Sequence, residues 1–345
     1  MSTAETNRAE TDGRETGDIR AGAQPAEPRL SLLARFNKMR EAGLIVIIAA
    51  LFVIMSFASP YFLTVANMKA LMLSFSIEGI VVVGMTILLI VGGIDLSVGA
   101  VVCFAMVVAG KLFLLGVDPW TASLGGIAAA AMCGVIMGAC VTRIGLNHFI
   151  ASLAMMVIVR GACLVITEGT PLSLFSLPKE FKFVGQGSLG QVPVVILIFL
   201  AIVVVFDLLM RRAVAFRRVF YTGSNPKAAD YSGIRTSRVI FWVTVLSSAL
   251  AGLAGVIFMA RFGAATPTFG VGMELNVIAA AVIGGASLKG GSGSVLGAVL
   301  GVALLSLVTN SLILLDVSVY WQDMVKGLIL LVAVSVDHML NRRRA

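Results

Sequence analysis

Ten predominantly apolar segments, separated by short polar or charged stretches, follow residue 41. A helix of about 20 apolar residues is long enough to cross the hydrocarbon core of a bilayer. The pattern therefore predicts an all-α integral membrane protein with about ten transmembrane helices, of which the eighth is short. Boundaries are ambiguous around 60–92 and 261–292. The predicted spans are 42–59, 68–91, 96–115, 120–142, 148–166, 192–210, 239–260, 274–288, 293–315 and 319–338.

Residues 88–102 read LLIVGGIDLSVGAVV and place glycines, a carboxylate and a serine inside an apolar run. Gly92 and Gly93 are expected to end one helix, because glycine adopts the left-handed conformation common at helix C-termini. Asp95 or Ser97 can then cap the next helix by accepting hydrogen bonds from its first N–H groups. A carboxylate among membrane spans is also a candidate for a substrate or ion path. A cap, a substrate contact and a role in coupling all stay open for Asp95.

A similar pattern recurs at 282–297, VIGGASLKGGSGSVLG, where glycines again follow a short apolar run. Glycine-broken short helices in both halves of the chain indicate paired structural repeats with a polar route between them. Glu274 opens the short eighth segment, where a carboxylate also favours the positive end of a helix. The candidate helix-break and path residues are Gly92, Gly93, Asp95, Ser97, Glu274, Asn276, Gly284 and Gly285.

The composition excludes a soluble globular domain and orients the chain. Of the 345 residues, 59% are hydrophobic and 13% are charged, whereas soluble domains carry about 25% charged residues. The loop at 211–238 is strongly basic, and basic loops mark the cytoplasmic side of a membrane protein. We predict a disordered and then basic cytoplasmic tail at 1–41, a transmembrane domain at 42–338 and a basic cytoplasmic C-terminus at 339–345.

A short helix is predicted inside the basic loop. Asn225 is a good N-cap, Pro226 suits the first helical position, and Gly233 can end a helix that begins at Lys227 and reaches Ser232. A capped cytoplasmic helix between two spans is typical of a docking element. An ordinary basic loop that touches anionic lipid is the alternative.

The motifs of common enzymes are missing from the sequence. It contains no G-x-x-x-x-G-K-[ST] phosphate-binding loop and no legible Ser/His/Asp or Cys/His group. The two histidines, His148 and His338, lie far apart, and the four cysteines form no CxxC pair. We therefore expect a non-catalytic chain that holds no metal and binds no cofactor of its own.

Four stretches of this sequence resemble the permease subunits of ribose-type sugar ABC importers, within the superfamily shared with branched-chain amino-acid permeases. The resemblance implies a multi-pass subunit of the bacterial inner membrane that forms the translocation path for a sugar or sugar-like solute. The stretches are VGGIDLSVG at 91–99, GSNPKAADYSGI at 223–234, ELNVIAAAVIGGASLKGGSGSVLGAVLG at 274–301 and LLDVSVYWQDMVKGLILLVAV at 314–334.

The same resemblance implies partners. These are a second permease chain, identical or related, an extracytoplasmic sugar-binding protein, membrane lipid, and two ATP-binding subunits that hold ATP and Mg. No nucleic acid is expected. The predicted helix would lie in a groove of the ATPase, with coupling residues Asn225, Pro226, Lys227, Ala228, Ala229, Ser232 and Gly233.

Other kinds of transport protein stay open at this point. An ion- or proton-coupled secondary transporter could use Asp95, Glu274 or Glu78 as its titrating group. A passive channel could be built from glycine-broken helices. An ABC permease could also carry an autoinducer-like molecule or a branched-chain amino acid. A secondary transporter has no need of a docking helix at 223–234, which is the feature that separates these classes.

Overall fold

The computed structural model describes residues 40–342, apart from the side chains at 40, 323, 330, 333–334 and 336–342. The predicted tail up to residue 39 and the last three residues of the predicted C-terminus lie outside this part of the chain. The helices are α1 (Arg40–Ala58), α2 (Val65–Ile90), α3 (Val98–Leu114), α4 (Pro119–Ala139), α5 (His148–Thr167), α6 (Lys179–Gln186), α7 (Val194–Arg212), α8 (Val214–Ser224), α9 (Pro226–Tyr231), α10 (Thr236–Phe262), α11 (Met273–Ile283), α12 (Val295–Leu314) and α13 (Val319–Arg342).

Most of each of the ten predicted apolar segments lies in a helix, and one segment was predicted to continue well beyond the end of its helix. The eighth segment was predicted to be helical to residue 288, but α11 ends at Ile283. Gly285 has a φ of +94°, and its N–H donates to the carbonyl of Val282. A glycine in this left-handed conformation closes the last turn of a helix, which a non-glycine residue does only at a cost.

Seven helices of the described chain are long and apolar enough to cross a membrane. Two further apolar helices, α3 and α11, are shorter, and α13 is not among the seven. The all-helical membrane class is confirmed, whereas the number of about ten spans is not. The seven helices are α1, α2, α4 with the π-helical turn Cys140–Ile144 that extends it, α5, α7, α10 and α12.

Two helices form the centre of the bundle. In the most apolar stretch of each helix, 78% of residues are buried in α2 and 72% in α10, against 11% in α1. The helix α10 packs against α2, α3 and α4. Because water does not drive helices together inside a bilayer, close backbone packing must do so. Gly301 and Gly297 of α12 accordingly lie directly against the backbones of Ala280 and Gly284.

Contacts between distant segments define two ends of the bundle. At the first, here called the strand end, β1 (Leu172–Ser173) pairs antiparallel with β4 (Ala264–Ala265), and β2 (Ser188–Leu189) pairs with β3 (Val192–Pro193). At the second, here called the junction end, the connections 91–97, 213–235 and 284–294 come together. The candidate functional residues lie mostly at the junction end.

Candidate functional site

Three connections meet through their backbones at the junction end. The N–H of Gly291 donates a 2.8 Å hydrogen bond to the carbonyl oxygen of Ile90, the last residue of α2. A Cβ placed on Gly290 would lie 2.9 Å from the carbonyl oxygen of Gly223 and 3.2 Å from the backbone of Gly92. These five residues form the glycine junction, which joins the two predicted helix breaks to the chain that enters α9.

The junction requires glycine for two different reasons. Gly92, Gly290 and Gly291 have φ values of +91°, +84° and +78°, in the region that other residues rarely adopt. Gly223 has no such backbone constraint, but a Cβ there would overlap the carbonyl oxygen of Ile90. The backbones can approach this closely only because no side chain stands between them.

The predicted short helix is confirmed next to the junction, as α9. The side chain of Asn225 accepts a 3.0 Å hydrogen bond from the N–H of Ala228, and Pro226 occupies the first helical position. The hydroxyl of Ser232 donates to the carbonyl of Ala228, and Gly233 follows at a φ of +82°. These are the capping and termination signals predicted from the sequence.

The surface of α9 is largely free for a partner. Of the seven predicted coupling residues, only Ala229 is buried, and Tyr231 beside them is 92% exposed. A cavity of about 420 Å³ is lined by residues of α9 and of the end of α8. The carboxylate of Asp230 anchors α9 to α10 by accepting hydrogen bonds from the N–H (3.2 Å) and hydroxyl (2.8 Å) of Thr236. No local sequence pattern indicates this anchor.

Asp95 stabilises the first helix break in a way the sequence did not predict. Its Oδ1 accepts hydrogen bonds from the N–H (2.7 Å) and the hydroxyl (2.6 Å) of Ser97. The prediction that Ser97 could cap α3 is wrong, because its side chain makes no hydrogen bond to the first turn. Its hydroxyl is instead committed to Asp95. The carboxylate is fully buried, and its Oδ2 has no hydrogen-bond partner among the described residues.

His148 fixes the same connection from the side. Its Nδ1 donates to the carbonyl oxygen of Ile94 at 2.8 Å, and its Nε2 lies 3.1 Å from the hydroxyl of Thr244. The ring also limits the space at Gly93, where a Cβ would lie 3.2 Å from Cδ2 of His148. The break after α2 is therefore hydrogen-bonded to His148 of α5, which in turn contacts Thr244 of α10. The sequence contained no signal for this role of His148.

Glu274, Gly284 and Asn276 have different neighbours from Asp95. Glu274 accepts a 3.2 Å hydrogen bond from the N–H of Gly272, and its Oε2 faces Gly99 of α3. Gly284 packs on Gly297, as described above, and Asn276 lies in a separate polar cleft between helices. The two breaks are joined by backbone contacts, and the polar route expected between them stays a prediction.

In the part of the chain that the structure describes, no group of three His, Cys, Asp or Glu side chains could hold a metal ion.

Residues 67–334 match the protein family described as "Branched-chain amino acid transport system / permease component". That match covers most of the chain. The chain belongs to this permease family.

Several permeases of other bacteria align with most of this chain. It is 36% identical to the ribose import permease protein of Bacillus subtilis (strain 168), over 87% of this chain and 93% of that protein. It is 36% identical to the D-allose transport system permease protein of Escherichia coli (strain K12), over 87% and 92%. It is 33% identical to the L-arabinose ABC transporter permease protein of Azospirillum brasilense, over 94% and 95%. No solved structure is significantly similar to this chain.

Proposed function

We propose that this chain is the membrane-spanning permease subunit of an ATP-driven importer for a sugar or sugar-like solute. The observation that carries the proposal is the near full-length similarity to three permeases named for ribose, allose and arabinose. Family membership also favours a permease over the ion-coupled transporter, although buried carboxylates alone suit both classes. Hydrolysis of ATP, with Mg, is assigned to other subunits of the importer.

The proposed docking surface for the ATP-binding subunits is α9 with its caps, Asn225 to Gly233. Its exposed side chains and the cavity beside it support this assignment. The remaining partners are a second permease chain and an extracytoplasmic binding protein that delivers the sugar. Each partner would favour a different conformation of the permease and so drive alternating access.

The glycine junction gives docking a mechanical consequence. Gly223 is two residues from Asn225, so a displacement of α9 reaches Gly223 through one intervening residue. Gly223 is in van der Waals contact with the end of α2, and the hydrogen bond from Gly291 to Ile90 couples the second break to the same point. A movement of the docked ATP-binding subunits would therefore act on both broken helices at once.

The proposed topology has ten membrane passages. Successive apolar helices run alternately between the strand end and the junction end, and α3 and α11 supply two short passages. The junction end would face the cytoplasm, together with the basic 211–238 loop and both termini. The strand end would then face the binding protein.

Reconstitution tests this function directly. The permease would be purified with its candidate ATP-binding subunit and binding protein and placed in lipid vesicles. ATP hydrolysis and uptake would be measured with D-ribose, D-allose, L-arabinose and leucine. We expect one of the sugars to stimulate both. Stimulation by leucine alone, or accumulation of a sugar against its gradient without the ATP-binding subunit, would contradict the proposal.

A further inference from the structure

A small polar cleft lies inside the bundle, away from the glycine junction. It has a volume of about 50 Å³ and is formed by residues of four helices. α2 contributes two polar residues one turn apart, α11 contributes an amide, α12 contributes two hydroxyls, and α13 contributes an ammonium group. The lining residues are Ser74, Glu78, Asn276, Leu305, Ser306, Thr309 and Lys326.

One side chain of the cleft has an unused hydrogen-bonding group. Ser306 is 8% exposed, and its hydroxyl has no hydrogen-bond partner among the residues that the structure describes. Its neighbours on the same helix behave differently, because Thr309 and Ser311 both donate to a carbonyl one turn earlier. A buried hydroxyl that makes no hydrogen bond within its own helix costs free energy unless another group bonds to it.

The cleft contains charged groups of opposite sign. Lys326 is the cation whose charge acts on the carboxylate of Glu78. A path for ions would be lined by charge of one sign, whereas this lining combines a charge pair with hydroxyls and an amide. Such a surface offers both donors and acceptors to a neutral solute that carries many hydroxyl groups.

Two helices run from the cleft to the glycine junction, where the ATP-binding subunits are proposed to act. Glu78 and the junction residue Ile90 lie on the same helix, about 18 Å apart along its axis. Asn276 lies on α11, whose C-terminus enters the connection that contains Gly290 and Gly291. A cavity of about 50 Å³ holds only one or two waters, at about 30 Å³ each. Sugar would therefore enter only when these helices separate.

We propose that this cleft is the site where the permease contacts the hydroxyl groups of its sugar during passage, and that it is closed in this conformation. The inference rests on the proposed function and deepens it. Glu78 and Asn276 accept hydrogen bonds from the sugar, Ser306 contributes its free hydroxyl, and Lys326 keeps the carboxylate balanced by an opposite charge.

The test uses the whole importer in lipid vesicles, with D-ribose, D-allose and L-arabinose as probes. Uptake and ATP hydrolysis would be measured together for Ser306→Ala and Glu78→Gln, with Ser311→Ala as the matched control. Ser311 lies on the same helix and is as deeply buried, but it lies outside the cleft. We expect sugar uptake per ATP to fall about fivefold for Ser306→Ala and tenfold or more for Glu78→Gln, because hydrogen bonds to charged groups are the stronger ones. Ser311→Ala should match the wild type.

A double variant distinguishes a loss of sugar contact from a loss of folding. Glu78→Gln leaves Lys326 without its opposing charge, so Glu78→Gln combined with Lys326→Gln should recover membrane abundance and part of the uptake. Uptake at the wild-type rate in both single cleft variants would overturn this inference alone. Equal losses in Ser306→Ala and Ser311→Ala would also overturn it. A wild-type importer that carries none of the three sugars would overturn the proposed function together with the inference.

Discussion

Gly223 lies directly against the carbonyl oxygen of Ile90, and this contact joins the entrance of α9 to the end of α2. The two residues are far apart in sequence and belong to different halves of the chain. The first glycine-broken connection follows Ile90 directly in the chain, and the second is hydrogen-bonded to Ile90 through the N–H of Gly291. A force on α9 would therefore reach both connections through this contact.

Replacing Gly223 by alanine should uncouple ATP hydrolysis from transport. The added methyl group overlaps the Ile90 carbonyl and must push the two backbones apart. Overpacking of this kind costs about 1–3 kcal/mol, so we expect a lower melting temperature and sugar uptake reduced about tenfold. The control is Gly161→Ala, since a Cβ at Gly161 meets nothing within 4 Å. A normally coupled Gly223→Ala importer would contradict the proposed force path.

Ala228→Glu should prevent the ATP-binding subunit from binding without unfolding the permease. Ala228 is exposed, so a larger charged side chain fits in the isolated chain but obstructs a docked partner. The measurement is co-purification of the two subunits, with thermal unfolding as the folding check. Ala229 is buried, so the same change there should also lower the melting temperature. Gln191→Glu is the control, because Gln191 is exposed at the strand end. Normal co-purification of Ala228→Glu would show that α9 is not the docking helix.

Asp95→Asn should keep most of the stability and transport. An amide oxygen can accept the same two hydrogen bonds from Ser97 that Oδ1 accepts in the wild type. Asp95→Ala leaves those buried donors unsatisfied and should cost about 1–3 kcal/mol of unfolding free energy. Thermal unfolding and uptake assays on both variants separate the two effects. Loss of transport in a stably folded Asp95→Asn importer would instead show that the negative charge is needed.

Thr236→Val should loosen the attachment of α9 to α10. It removes the hydroxyl that donates to Asp230 but keeps the backbone N–H bond. The expected loss is about 1 kcal/mol, as for a typical hydrogen bond, and the ATP hydrolysed per sugar should increase. Thr167→Val is a comparison for loss of a hydroxyl that bonds only to its own helix, since the Thr167 hydroxyl donates to the carbonyl of Cys163 and lies outside the cleft. The anchor is dispensable if Thr236→Val consumes no more ATP per sugar than the wild type.

Local features of the molecule were predictable because local sequence decides them. Apolar length predicts membrane helices, and most of every predicted segment lies in a helix. Asn225, Pro226 and Gly233 predict α9 because capping depends on neighbouring residues only. The glycines at 92 and 285 adopt positive φ values at helix ends for the same reason. The number of passages is not decided by helix length, because α3 and α11 are shorter than a full span and α13 is not among the seven long apolar helices.

Contacts between distant segments were decided by the tertiary structure. No local pattern shows that Ile90, Gly223 and Gly291 meet, because Ile90 is an ordinary apolar residue of a long helix. The roles of Asp95 and Ser97 were partly misassigned, since the hydroxyl of Ser97 donates to the carboxylate of Asp95 and accepts no hydrogen bond from the N–H groups at the start of α3. Hydropathy and capping act over a few residues, and they determined that this chain is a bundle of membrane helices with two breaks. Packing brings together groups that are hundreds of residues apart, and it alone determined that the two breaks share a junction and that a charge pair lies within a polar cleft.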